Sequence, residues 1–281
     1  MPVEVFLMVV GAALLHATWN AVVKSGTDRL GLIKLFCGTQ LVLSLCLVPF
    51  VDVPDAASWP YLFASTVFST GYLLLLSRAY QTGELSLVYP LARGVAPLVV
   101  AGVSAGVLGE HLSRPSLIGI LLIAIGIMSL ALTRGMAGLR DHRSILLALA
   151  TGGLIGGYTL LDGLGARAAG SAHSYFVWVS IVAALLTMGA IHGLQPSQRE
   201  PLGRRGRQAG ILSGLIGYLC SWLIIWAFTL APIALVSALR ETGIIFAVII
   251  GVVFLKERLN LARLASIATA LVGATILKVS R

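Results

Sequence analysis

The stretch "IALVSALRETGIIFAVIIGVVFL", residues 233–255, sets Arg240 and Glu241 side by side inside an otherwise apolar run. A run of about twenty apolar residues is what a helix needs to cross a hydrocarbon core of roughly 30 Å. An arginine or aspartate at the centre of such a helix costs about 2.5–3.5 kcal/mol on insertion scales, so it faces a cavity or a partner. Neighbouring helical residues point about 100° apart. One of the pair is therefore expected to face a cavity and the other to pair with an adjacent helix.

The rest of the chain repeats that apolar pattern. Of 281 residues, 58% are hydrophobic and only 11% charged, against about half and a quarter in an ordinary soluble domain. Apolar blocks fall at about 4–23, 31–51, 59–80, 85–108, 115–133, 144–163, 172–194, 209–230, 232–255 and 260–278. The expectation is an all-α membrane protein with ten transmembrane helices. The longest polar connection is 195–208, "QPSQREPLGRRGRQ", so any chemistry belongs within or between the helices. The first block lacks the basic start of a signal peptide, since "MPVEVF" carries Glu4. Cys37, Cys46 and Cys220 lie inside apolar spans without metal-ligand spacing and read as small packing residues.

The net charge of +9 reads as topology rather than as a nucleic-acid footprint. Loops after the odd-numbered spans hold fourteen of the twenty Lys and Arg, against four on the opposite face, while Arg93 and Arg240 remain inside. The positive-inside rule then places both termini on the non-cytoplasmic side. The acidic loop "VDVPDAASW", 51–59, agrees with that face.

An internal repeat underlies the pattern. Residues 87–127 can be laid over 234–274 at an offset of 147, which brings Arg93 onto Arg240, Glu110 onto Glu257 and Leu112 onto Leu259. Five spans per half is an odd number, so the halves, 1–134 and 144–281, would cross in opposite directions as two inverted five-helix repeats. Such repeats place a binding site near the midplane between them. The turns "GEHLS" and "KERLN" end spans 4 and 9, with Ser113 and Asn260 as N-caps for the next helices. Glu110 and Glu257 read more readily as anchors of helix ends than as substrate contacts.

With "LLHATWN" in span 1, "LSLVYPLARG" in span 4, "YTLLDGLGAR" at span 6 and "IALVSALRET" in span 9, the chain resembles the EamA-type branch of the drug/metabolite transporter superfamily over essentially its whole length. That resemblance implies a carrier of small metabolites in a bacterial cytoplasmic membrane. It also implies cytoplasmic termini for many relatives, opposite to the charge count.

Several intramembrane polar residues are candidates for a substrate-binding cavity. Arg93 and Arg240 could meet an anionic group through the bidentate guanidinium fork. Equally, each could neutralise an internal acid, Glu241 or Asp162. Tyr89 shares the face of Arg93 at i, i−4. His16 and Asn20 stand at i and i+4 beside Trp19, and Tyr158 and Asp162 repeat that spacing in span 6. Asp162 either faces the cavity or pairs near the interface with Arg167. Trp222, sharing a face with Trp226, and Tyr72 complete the candidate wall. An ordinary imidazole titrates near neutrality, so His16 is a candidate proton carrier. Gly152, Gly153, Gly156 and Gly157 form a double small-xxx-small pattern for close helix approach.

Three function classes follow. A secondary transporter needs a central cavity, an inverted repeat and no nucleotide site. A membrane enzyme acting on lipid or a lipid-linked substrate needs a catalytic cluster at one interface. Neither a metal quartet nor a Ser/His/Asp arrangement is written here, and His111, His142, His173 and His192 are scattered. A scaffold has no use for costly internal charges. Transport of amino-acid-like or other carboxylate- or phosphonate-bearing solutes is the favoured reading, with no cofactor, no metal and no nucleic acid. The expected partners are a small-molecule substrate and the lipid bilayer, in a monomer or weak homodimer.

Overall fold

The computed structural model describes residues 1–25, 29–82, 85–132, 142–194, 203–255 and 261–280. The expectations for Glu257, Asn260 and the 195–202 part of the long polar loop lie outside these residues. The described chain is helical, with no strand among the described residues. In the first half α1 (Val3–Ser25), α2 (Arg29–Leu47), α3 (Trp59–Thr82), α4 (Leu85–Gly106) and α5 (Arg114–Leu132) follow in order. The second half contains α6 (His142–Ala168), α7 (Ala172–Leu194), α8 (Arg204–Leu230), α9 (Ile233–Arg240), α10 (Gly243–Leu255) and α11 (Leu261–Val279). Helices satisfy their own backbone groups, which is what a hydrocarbon solvent demands. Exposed Leu117, Ile118, Leu121 and Ile125 give α5 an apolar outer face of the kind that meets lipid tails.

Nine stretches among the described residues are long and apolar enough to cross a membrane, the α9–α10 run counting as one of them. The expected third span is the 24-residue helix α3. The expected ninth span is not one continuous helix. After Arg240 the chain turns through Glu241 and Thr242 and restarts at Gly243. There the backbone bonds tighten to i→i−3, with Glu241 N donating to Ala238 O, Thr242 N to Leu239 O, Ile244 N to Glu241 O and Ile245 N to Thr242 O. Gly243 is needed at the restart, because a Cβ there would lie 3.0 Å from the Ala13 carbonyl oxygen of α1.

One face of the bundle is drawn together by polar contacts. The N-terminal ammonium donates to Ser280 O at 3.1 Å, and Asp55 N donates to Ala169 O at 3.3 Å. Ser174 bonds the Asp52 carbonyl. Arg167 of α6 ties the turn after α4 to the end of α8, donating to Glu110 at 2.8 Å and to the carbonyls of Phe228 and Ala231 at 2.9 Å each. Glu110 in turn accepts from Ile233 N at 3.4 Å, at the start of α9. This is the helix-end anchoring expected of Glu110, and Ser113 accepts from Ser116 N at 3.3 Å as the cap of α5. Beneath this face lies the main core, where Val5, Val9 and Ala12 of α1 meet Val100 of α4, Phe228 of α8 and Ile233 and Val236 of α9.

The glycines of α6 split by direction. A Cβ at Gly152 would sit 2.8 Å from Ala92 O of α4, and one at Gly156 2.9 Å from Val99. Gly157 faces Phe68 of α3 instead, while Gly153 has nothing within 4 Å. Small residues thus bring α6 against the turns of α4 that carry Arg93.

Candidate functional site

The site is built where α4, α1 and the α9–α10 break converge. Arg93 projects from the middle of α4 and is only 7% exposed; Arg240 and Glu241 are 9% and 4% exposed. The Arg93 Nη1 donates to both carboxylate oxygens of Glu241, at 3.0 and 3.3 Å. Its Nη2 meets His16 Nε2 from α1. A guanidinium has no acceptor, so the imidazole nitrogen accepts at this contact. Tyr89 lies one turn away with its ring centroid 5.4 Å from the Arg93 guanidinium carbon, a cation–π contact.

Arg240 is held less completely. Its Nη2 lies 3.5 Å from Glu241 Oε1 and 3.4 Å from Thr159 Oγ1 of α6. Its Nε is buried with no hydrogen-bond partner among the described residues. Leaving a buried charged donor unmet costs about 1–3 kcal/mol or more. Two guanidiniums and one carboxylate also leave the cluster with an excess positive charge.

These groups line a small cavity of about 50 Å³ together with Ala17, Asn20, Gly243, Ile244 and Ala247. Small-molecule pockets are roughly 300–1,000 Å³, so the cavity in this conformation is smaller than a bound solute needs. The lining has a direction. Asn20 lies beyond His16 along α1, Ile244 and Ala247 lie beyond the break in α10, and Tyr89 precedes Arg93 in α4. All are displaced from the charges toward the ends remote from the termini, whereas the main core and the Arg167–Glu110 bridge close the termini face.

The structure brings His16, Asn20, Tyr89, Arg93, Arg240 and Glu241 to one cavity and places the other candidates elsewhere. Arg240 and Glu241 do not point to separate environments as a continuous helix would require, because α9 ends between them. Trp19 packs on Phe36 of α2 with centroids 4.8 Å apart and stands edge-on to His16, buttressing the imidazole from outside the cavity. Tyr72 and Tyr158 pack together at 6.1 Å against Ala92 and Ala96 of α4, close to the arginines but outside the cavity lining. Asp162 pairs with neither arginine nor Arg167. Its Oδ1 accepts from Ser65 of α3 at 2.5 Å and from Tyr175 of α7 at 3.3 Å, because α6 turns that face away from α4. Trp222 is also outside the cavity. It stacks on Trp226 and donates to His173 Nδ1 at 2.8 Å, beside the first turn of α7, as interfacial aromatics do. Sequence reading missed Thr159, whose only signal was its place beside Tyr158 in "YTLLD".

A polytopic helical bundle with a charged cavity deep in its spans has the architecture of a membrane carrier. The sequence model of the EamA-like transporter family matches residues 4–132 and 142–279. The chain belongs to that family, and so is a multi-pass membrane transporter of the drug/metabolite transporter superfamily. A solved structure described only as a crystal structure of a protein superposes with a TM-score of 0.80 over 99% of both chains. At 18% identity that likeness speaks to the fold alone. Among curated proteins no sequence match is found.

Proposed function

We propose that this chain is a secondary transporter that moves small organic metabolites bearing a carboxylate or phosphonate, amino-acid-like solutes among them, by alternating access. The observation that carries this reading is the excess positive charge at a buried cavity, with an arginine nitrogen left without an acceptor. A lipid-modifying enzyme would set its reactive groups at an interface, and this cluster is deep in α1, α4 and the α9–α10 run.

Two inverted five-span repeats make ten crossings in this reading, with α9 and α10 sharing one. Support comes from the packing of α5 on α11. A Cβ at Gly119 would meet Gly273 O at 3.0 Å, and one at Gly126 would meet Ser266 O at 2.8 Å. The offset of 147 turns Gly119 into Ser266 and Gly126 into Gly273, so the two approaches are images of each other. In the same way α4 packs on α6 and α10 on α1, while α1 packs on α8 and α6 on α3. In this conformation the cavity leads toward the basic loop face. By the charge rule that face is cytoplasmic, the protein sits in a bacterial inner membrane, and both termini are outside. A reporter fused after Arg281 that is active only in the cytoplasm is expected to stay silent; activity would reverse the orientation.

Proton coupling enters at His16. A proton on Nε2 would end its acceptor contact with Arg93 and set a third cation beside Arg93 and Arg240, with Glu241 the one carboxylate of the cavity lining among the described residues. Proteoliposome uptake from a mixed metabolite pool tests the whole reading, with accumulation of solutes that carry a carboxylate or phosphonate and none of those that lack one expected. In His16→Gln, pH-driven accumulation is expected to vanish while downhill exchange persists. Unchanged pH dependence removes His16 from coupling, and absence of any uptake removes the transport assignment.

A further inference from the structure

Resting on the anionic-solute reading, we infer that the two arginines divide the work: Arg240 is the anchor that takes the solute's anionic group, through its Nε–Nη2 edge, and Arg93 is the residue that keeps Glu241 out of its way. The two guanidiniums are equivalent by repeat position yet differently satisfied. Arg93 gives one nitrogen to both oxygens of Glu241, gives the other to His16, and lies against the Tyr89 ring. It has little left for a ligand. Among the described residues Arg240 makes two long polar contacts, 3.4 Å to Thr159 and 3.5 Å to Glu241, and its buried Nε has no acceptor.

The Nε–H and one Nη2–H lie parallel along one edge of the guanidinium, the spacing that a carboxylate or phosphonate accepts with two oxygens. A bound anion on that edge would satisfy the orphaned donor and cancel the excess positive charge. It would also take over the weak 3.5 Å hold on Glu241 without disturbing the 3.0 Å pair with Arg93. Glu241 is then an internal competitor for Arg240. Its removal should strengthen anion binding even as it weakens the fold.

The test uses the purified full chain in detergent, with methylphosphonate and acetate as anionic probes and dimethyl sulfone as a neutral one. Dissociation constants come from calorimetric titration, and size exclusion with melting curves shows that each variant is folded. The wild type is expected to bind the anions and not the sulfone. Arg240→Lys keeps the charge but loses the edge, and is expected to weaken anion binding by about ten- to a hundredfold, the range for a lost charge-assisted hydrogen bond. Arg93→Lys is expected to stay within about threefold while melting lower. Glu241→Gln is expected to bind anions more tightly than wild type, and Glu241→Gln combined with Arg240→Lys to lose that gain. An Arg240→Lys protein that binds as wild type, or an Arg93→Lys protein that loses as much, overturns the division of labour and leaves the anionic-solute reading standing. Weaker binding in Glu241→Gln also overturns it. Failure of the wild type to bind either anion brings down both.

Discussion

The fourth helix and the α9–α10 run occupy the same place in the two repeats, yet they solve the problem of a buried arginine differently. The fourth helix contains Pro90 and Pro97 and runs unbroken past Arg93. Its counterpart has no proline between Ile233 and Leu255 and breaks just after Arg240. Proline is the usual helix breaker, so the order is the reverse of what propensity predicts. The two nevertheless arrive at the same backbone feature. Pro97, four residues after Arg93, has no N–H to give to the Arg93 carbonyl. Ile244, four residues after Arg240, gives its N–H to Glu241 O instead. In both repeats the carbonyl behind the arginine is without its ordinary i+4 donor.

The difference lies in what fills the next position. In the second repeat it is Glu241, free to turn into the cavity because the helix has ended. In the first it is Gly94, pressed against α5, where a Cβ would fall 2.3 Å from Met128 Cγ and 3.0 Å from Ala124 O. No acid can be accommodated there without moving α5. One carboxylate therefore serves two guanidiniums, and the asymmetry that gives the cavity its positive excess is a consequence of helix packing.

The largest expected effect strikes the shared acid. Glu241→Ala leaves both arginines without a carboxylate in a low-dielectric site, at a cost of about 3–5 kcal/mol. Loss of the folded peak on size exclusion, or a collapse of the melting temperature, is the measurement. A variant that melts like the wild type would mean the pair does not hold the halves together. Next comes Gly94→Ala, which tests the packing side of the comparison by overfilling the α4–α5 contact, for about 1–3 kcal/mol. A neutral result would show that α5 yields, and that an acid could be placed in the first repeat too. The smallest effect is expected from Pro97→Ala. It returns an N–H to the Arg93 carbonyl and should stabilise by about 0.5–1.5 kcal/mol, the net worth of one hydrogen bond. A lower melting temperature would show instead that the buried proline ring matters more for packing than its missing donor does.

Much of this architecture was legible in the sequence. Apolar blocks of bilayer length can only be helices in lipid, since no water is present to satisfy an extended backbone, so the helical spans follow from composition and spacing. The offset of 147 that pairs Arg93 with Arg240 was readable for the same reason, because a charge inside a span is too costly to recur by accident. His16 and Asn20, Tyr89 and Arg93 were placed on common faces by the i, i+4 rule and do line one cavity. What the sequence alone could not decide is where helices stop and which neighbour each polar side chain meets. In "RETG" Gly243 alone hints at a break, and glycine is too common within membrane helices to decide it. The turn is settled by the close approach of Gly243 to Ala13 and by the pull of Arg93 on Glu241. Trp222 and Asp162 carried the same local signals as the cavity residues, yet the rotation of α8 and α6 sends them to His173 and to Ser65 and Tyr175. Helical periodicity fixes which residues share a face, but only the packing of one helix on another fixes what that face sees.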